Sequence, residues 1–282
     1  MRRHPSFALA GLALLLSGVA LGEPLSKPLR AETPVAAGGT IVLENLAGRV
    51  EVVGTRGAEA VLTGAAFCDA GSPSGSQALL DALSVHVSGG GDRATLHVVY
   101  PVEKEPFRYR DRERSGSSWG HSSSTVDYQG RKVKVTEGGG SGPLLYADLR
   151  LEVPAGVSVV VTDHVGRVEA RGVGAGFEVK TASADVRADE TAGALKVKTG
   201  SGDIRVDGSA GLEVSTGSGD VVAARVKGDV DVTTGSGDVK LEGAAGRKVA
   251  VHTGSGDVAL DDVAGSLELR TGSGDISGRA LR

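Results

Sequence analysis

One pentapeptide governs what this chain can fold into. T-G-S-G-D occurs at Thr199–Asp203, Thr216–Asp220, Thr234–Asp238, Thr253–Asp257 and Thr271–Asp275, and a degenerate copy, T-A-S-A-D, covers Thr181–Asp185. Successive aspartates stand 18, 17, 18, 19 and 18 residues apart. One step further back lies Gly166-Arg167-Val168, and the same G-R-V recurs in isolation at Gly48-Arg49-Val50. A short, near-constant period marks an array of like units, none able to bury its apolar face alone.

Within each unit apolar residues alternate. Leu195/Val197, Leu212/Val214, Val230/Val232, Val249/Val251 and Leu267/Leu269 precede the motif; Ile204/Val206, Val239/Leu241 and Val258/Leu260 follow it. Period-two spacing marks half-buried strands. The inward parity is odd before the motif and even after it, so the chain must turn a corner between. Gly202, Gly219, Gly237, Gly256 and Gly274 sit at that step, where glycine tolerates turn dihedrals without strain. By the same parity Thr199, Thr216, Thr234, Thr253 and Thr271 point inward. A second corner falls near Gly208–Gly211. Stacked at the roughly 4.8 Å inter-strand spacing, such units bury one continuous core. The expected fold is all-β: a parallel β-solenoid (β-helix) with coils of about 18 residues. An antiparallel meander of the same strands competes, but a constant period with identical corners disfavours it.

Composition agrees with a thin core. Aromatic residues make up 3% of the chain and glycine supplies 44 residues, while hydrophobic content is 40%, too high for disorder. The net charge of −4 excludes a general nucleic-acid binder, which needs a cationic excess to displace phosphate counterions. Residues 1–22 read as a signal peptide: Arg2, Arg3 and His4, then an apolar run from Phe7 to Leu21, then small residues at Ala20 and Gly22. That run is shorter than the roughly 20 residues of a membrane span. Export is expected, to the periplasm, cell surface or medium, with no membrane span after signal removal. Cys68 is the only cysteine, so no intrachain disulfide forms, and its apolar neighbours predict a buried thiol.

The rest of the chain is less regular. Residues 23–35 read as a linker and 36–106 as an irregular β part, with an early coil at Thr40–Val53, a short helix at Gln77–Leu83, and strands at Ser84–Ser88 and Arg93–Tyr100. Residues 107–142 read as a flexible, disordered polar insertion, rich in serine and glycine between Ser115 and Thr125. Residues 143–282 are the regular solenoid.

The run from Leu149 to Thr162 (LRLEVPAGVSVVVT), followed by G-R-V and repeated V-x-T-x-S-G-D-V, resembles the bacterial putative-adhesin family of β-strand-repeat proteins, a domain of unknown function. The resemblance covers roughly Ala36 to Ile276. It implies a right-handed β-helix-like fold in an envelope protein and brings no catalytic residues. The insertion at 107–142 departs from it.

Three groups of residues carry candidate chemistry. Asp185, Asp203, Asp220, Asp238, Asp257 and Asp275 should stack in a row. Neighbouring charges ~4.8 Å apart repel by roughly 1 kcal/mol in water and roughly 3.5 at an effective dielectric of 20. Calcium would relieve this at Asp203, Asp220, Asp238 and Asp257; hydrogen bonds from corner N–H groups are the simpler relief. Arg167, one coil before Asp185, would cap the row with a cation. The second group is in the insertion. Arg108, Arg110 and Arg112 alternate with Phe107, Tyr109 and Asp111, giving one cationic face in an extended strand. With Tyr109, Trp119 and Tyr128 they form the candidate partner-binding set, because arginine and aromatics are enriched at interfaces. The third is His86 with His97, which could share a metal but lack a third ligand.

No nucleophile elbow, phosphate loop or zinc motif is present. The expected protein is a non-enzymatic, exported structural or adhesin-like binding module of the cell envelope, needing no cofactor and taking an envelope protein or glycan as partner. Exposed strand edges after the last coil would permit end-to-end self-association. A β-helix polysaccharide-active enzyme and a calcium-stabilised solenoid are the alternatives.

Overall fold

The computed structural model describes residues 23–102, 106–111, 123–138 and 140–282. The expected signal peptide, Arg112 and Trp119 lie outside the described residues. Nineteen strands and one helix are present among the described residues, joined in one largely parallel sheet system. None of the described helices is long and apolar enough to cross a membrane.

The irregular half contains β1 (Leu25–Thr55), β2 (Glu59–Asp69), α1 (Pro73–Ala82), β3 (Ser84–Val99), β4 (Phe107–Tyr109), β5 (Ser123–Tyr128), β6 (Arg131–Glu137) and β7 (Leu144–Pro154). The long strands β8 (Ser158–Arg171) and β9 (Phe177–Asp189) follow. Each later unit splits at its corner into two strands: β10 (Ala194–Ser201) and β11 (Ile204–Ser209), β12 (Gly211–Ser218) and β13 (Val221–Val226), β14 (Val230–Ser236) and β15 (Val239–Glu242). The pairs β16 (Ala245–Ser255) with β17 (Val258–Asp261) and β18 (Ala264–Thr271) with β19 (Ile276–Arg279) complete the array.

Equivalent residues of successive units sit side by side. Thr181, Thr199, Thr216, Thr234, Thr253 and Thr271 form one parallel column, and Ile204, Val221, Val239, Val258 and Ile276 another. The columns continue into the irregular half. Gly48-Arg49-Val50 pairs with Gly166-Arg167-Val168, which pairs with Ala184-Asp185-Val186. The isolated G-R-V is therefore a coil of the same stack, separated in sequence by inserted strands. Gly48, Gly166, Gly202, Gly219, Gly237, Gly256 and Gly274 share a positive φ between +125° and +140°.

At the second corner the left-handed residue is Glu190, Gly208, Arg225, Gly243, Asp262 or Ala280, with φ from 50° to 82°. Four of these are not glycine. Sequence reasoning, which looked for glycine there, places that corner less sharply for this reason.

Two segments differ from expectation. Residues 25–34, inside the expected linker, pair antiparallel with Glu59–Cys68. Leu29, Thr33 and Val35 are buried there while Pro28 and Pro34 face out. Proline is tolerated on an edge strand, whose N–H side needs no ladder partner; its presence hides the alternation in the sequence. The insertion is likewise not a disordered loop over its described residues. β5 and β6 form a hairpin around Gln129-Gly130, with φ of 54° and 72°, and β4 pairs in parallel with β6. Two consecutive positive-φ residues make the tight turn whose twist suits a hairpin. Phe107, Tyr109, Val126, Tyr128, Val133 and Val135 are all buried in the main core.

The helix begins at Pro73, four residues before the expected start, because Ser72 caps it through Oγ, which accepts from the Gly75 N–H at 3.2 Å. At its far end Lys27 Nζ donates to the carbonyls of Leu80 at 2.9 Å and Leu83 at 2.7 Å. A cation on the C-terminal carbonyls suits the helix dipole, and it ties α1 to β1.

Candidate functional site

Along the regular coils the polar motif residues are engaged within the coil stack. Thr199, Thr216, Thr234 and Thr253 are buried, and each Oγ1 donates to the carbonyl of the motif serine two residues on, at 2.8, 2.9, 3.0 and 3.1 Å. The serines themselves, at 218, 236, 255 and 273, are exposed. Two residues after an inward threonine the chain has already entered the corner, which turns the serine side chain outward.

The aspartates form a relay from coil to coil. Oδ1 of Asp185, Asp203, Asp220, Asp238 and Asp257 accepts the backbone N–H of the next aspartate at 3.0, 3.1, 2.9, 2.8 and 2.8 Å. Hydrogen bonds to ionised acceptors are strong enough to offset the mutual repulsion of a row. No group of three or more His, Cys, Asp or Glu able to hold a metal ion occurs among the described residues. Backbone hydrogen bonds thus relieve the repulsion along the aspartates at 203, 220, 238 and 257. At its head, Arg167 pairs through Nη2 with Asp111 Oδ2 at 3.0 Å and lies 3.8 Å from Glu169.

The threonine column changes character in the irregular half. Its register continues through Asp163 to Asn45, both fully buried. Asn45 Nδ2 donates to Asp163 Oδ1 at 3.0 Å, and Tyr100 Oη donates to Asn45 Oδ1 at 2.8 Å. Burial pushes the Asp163 carboxyl well above the usual carboxylate range; Asp148 adds to the rise and the Asn45 bond opposes it. Tyr100 is raised in the same way. Neither residue stood out in the sequence, since one polar residue in a Val-rich strand gives no periodic signal.

The predicted binding set divides. Tyr109 and Tyr128 are 2% and 3% exposed, so they are core residues and offer no partner surface. Tyr128 Oη donates to the Val98 carbonyl, and its ring packs edge-on against His97, Tyr100 and His164. His97 is occupied by Tyr128 and Gln129, with Glu44 3.8 Å away, while His86 is exposed. The Arg face is real where described: Arg110 is exposed and Arg108 half-buried. Alternation identified the face, but nothing in the sequence said that the opposite, aromatic face was the buried one.

Arg108 borders a cleft of about 770 Å³ between α1 and the segment that follows β6. One wall is the helix face Gly75, Ala78, Leu79 and Ala82; the other holds Pro101, Arg108, Gly142 and Pro143; Asp69, Ala70 and Gly71 close one end. The Arg108 N–H donates to the Pro143 carbonyl at 2.8 Å, and its Nε to the Gly142 carbonyl at 2.7 Å. The first holds the main chain and the second orients the guanidinium. It makes no ion pair among the described residues, and the Asp69 carboxylate is turned to the Gly71 N–H at 3.0 Å. Cys68 beside this end is buried, and burial pushes its thiol up to about 11.

Fold and columns together define an all-β, repeat-built protein in which the irregular end carries the cleft. Residues 189–280, the C-terminal coils, match the family model described as Toastrack DUF4097, a domain of unknown function. Solved structures with a similar course are a putative adhesin from Bacteroides fragilis (12% identity, 91% of this chain and 99% of that one, TM-score 0.46) and a putative cell adhesion protein from Clostridium sporogenes (13%, 91% and 100%, 0.26). A putative lipid binding protein from Parabacteroides distasonis is also similar (13%, 90% and 95%, 0.30). No curated protein matches the chain.

Proposed function

We propose that the protein is an exported, non-enzymatic binding module of the cell envelope: a right-handed β-helix with coils of about 18 residues that holds a ligand-binding cleft at its irregular end. One observation carries this reading. The repeated threonines are committed to hydrogen bonds within their own coil and the aspartates to bonds from coil to coil, whereas Arg108, fixed at a largely apolar cleft, has no carboxylate partner among the described residues. A rigid array presenting one site at its end suits binding, since a site on a rigid element needs little ordering when the ligand arrives.

The enzyme alternative draws no support from the described aromatics. Polysaccharide enzymes stack sugars on exposed rings beside acids. Here Tyr100, Phe107, Tyr109, Tyr128, Tyr146 and Phe177 are buried, and Phe67 is half-buried against Tyr146.

The test is a binding array of glycans and fractionated envelope components, probed with the intact chain and with Ala82→Phe, which fills the cleft from an exposed helix position. Saturable binding lost in the variant supports the module. Turnover of any glycan on the array, or no binding at all, refutes it. Removing 107–142 would be a poor control, because it takes Phe107, Tyr109 and Tyr128 out of the core.

A further inference from the structure

We infer that the α1–Arg108 cleft takes an amphiphile: an oxyanion head, carboxylate or phosphate, on an apolar body. The inference rests on the reading of this end as the binding end and names its ligand class.

The head is set by Arg108. Its Nε is held by the Gly142 carbonyl, so the plane of the guanidinium is fixed before any ligand arrives and the terminal nitrogens keep their donors. A fixed fork of N–H groups matches the two oxygens of a carboxylate or phosphate. Asp69, the one acid among the described residues that line the cleft, has its Oδ1 turned to the Gly71 N–H and makes no ion pair with Arg108, which leaves the guanidinium as the group that meets an anion.

The body is set by the walls. Ala78, Leu79 and Ala82 on the helix face Pro101 and Pro143 across the gap. These side chains carry no hydrogen-bonding group, and proline supplies no N–H. A sugar entering here would lose water from its hydroxyls and find few partners, a cost of the kind that rejects polar groups from apolar sites. A hydrocarbon chain or apolar ring gains from the same walls. The cleft also falls within the roughly 300–1,000 Å³ of ordinary small-molecule sites.

The experiment is calorimetric titration of the intact chain with octanoate and octyl phosphate below their micelle-forming concentrations. Octyl glucoside supplies the chain without charge; acetate and inorganic phosphate supply the charge without chain. Saturable one-to-one binding of octanoate, octyl phosphate or both is expected, with one headgroup stronger than the other identifying the source chemistry. Arg108→Gln should weaken it roughly 10- to 100-fold, the range of a lost charge-assisted hydrogen bond, and Ala82→Phe should abolish it. Circular dichroism of both variants checks that the fold is kept; should Arg108→Gln fail to fold, Ala82→Phe alone decides. Equal binding of octyl glucoside, or titrations unaltered by Ala82→Phe, would overturn the inference. Refusal of both anionic amphiphiles while envelope components still bind on the array overturns the ligand class alone; failure of both experiments removes the binding module with it.

Discussion

Gly237 puts a sharp number on the corner. Its φ is +128°, and a Cβ added there would stand 2.2 Å from the Gly219 carbonyl oxygen and 2.7 Å from its carbon. Contacts under 3.0 Å are not tolerated by real Cβ atoms, so the gap is about 0.8 Å too small. Neither neighbour can swing away, because both are backbone. Gly219 donates to the Ser236 carbonyl at 3.0 Å and Gly237 to the Ser255 carbonyl at 2.9 Å, so opening the gap strains the ladder on both sides. Backbone strain at such a φ costs ~1–3 kcal/mol, and forcing atoms into filled space costs a further ~1–3 kcal/mol. Gly237→Ala should therefore destabilise by roughly 2–6 kcal/mol. Gly156 is the control. It has φ of +77° with nothing within 4 Å of an added Cβ, so Gly156→Ala reports strain without the clash.

The measurement is urea unfolding followed by circular dichroism, with amide exchange of Val239 and Val221 to localise the damage. Stacked repeats can unfold in pieces, and exchange distinguishes a fraying corner from global loss. Ala184 shows that alanine can occupy the equivalent register position when φ is not positive. If Gly237→Ala costs no more than Gly156→Ala, the corner can relax into that second geometry and the steric argument is wrong.

Four further outcomes follow from the same geometry. Thr216→Val keeps the shape but removes the 2.9 Å bond to the Ser218 carbonyl, which still accepts from Gly202; a loss of about 1 kcal/mol in urea unfolding is expected, against less than about 0.5 for exposed Ser218→Ala. Phe107→Ala should cost about 3–5 kcal/mol as a fully buried ring, a loss that a peripheral flexible loop would not show. Excess calcium should leave the thermal midpoint unchanged, because the aspartate row is satisfied by backbone N–H groups; a clear upward shift would restore the ion. Asp163→Asn tests the buried carboxyl. Its folded pKa is raised, so its contribution is full below the ordinary carboxylate range and is lost as pH rises toward the folded value. The midpoint of Asp163→Asn relative to the native chain should climb between pH 4 and pH 7, and a flat difference would show the carboxyl to be ionised inside.

Where the sequence repeats, local and global preferences agree and the fold is legible. Parity placed Val197 and Thr199 inward and the glycine at the corner, because side-chain alternation has only two answers. Legibility fell where tertiary pairing replaced repetition. Leu25–Pro34 reads as a linker because two prolines break the pattern, though Leu29, Thr33 and Val35 keep it. Tyr109 and Tyr128 look like interface aromatics because serine and glycine surround the hairpin. Their burial involves partners distant in sequence: Val98, Tyr100 and His164 for Tyr128, and Tyr146 for Tyr109. The cleft had the faintest signal: Ala78 and Ala82 on an exposed helix face are unremarkable until Arg108 and Pro143 stand opposite.

The inserted strands do more than interrupt the array. Three of their side chains dock on column positions of the stack: Tyr100 on Asn45, Tyr128 on His164, and Asp111 on Arg167. In the regular coils the equivalent positions hold threonine, alanine or glycine, and aspartate, which bond within the stack. The changes from threonine to Asn45 and Asp163, and from aspartate to Arg49 and Arg167, thus mark where the stack meets the inserted strands. Residues that break a repeat's own rule and acquire partners outside it indicate where a fold has been adapted. Here the Arg167–Asp111 pair ties the segment just after β4 to the stack, and β4 carries Arg108 to the cleft.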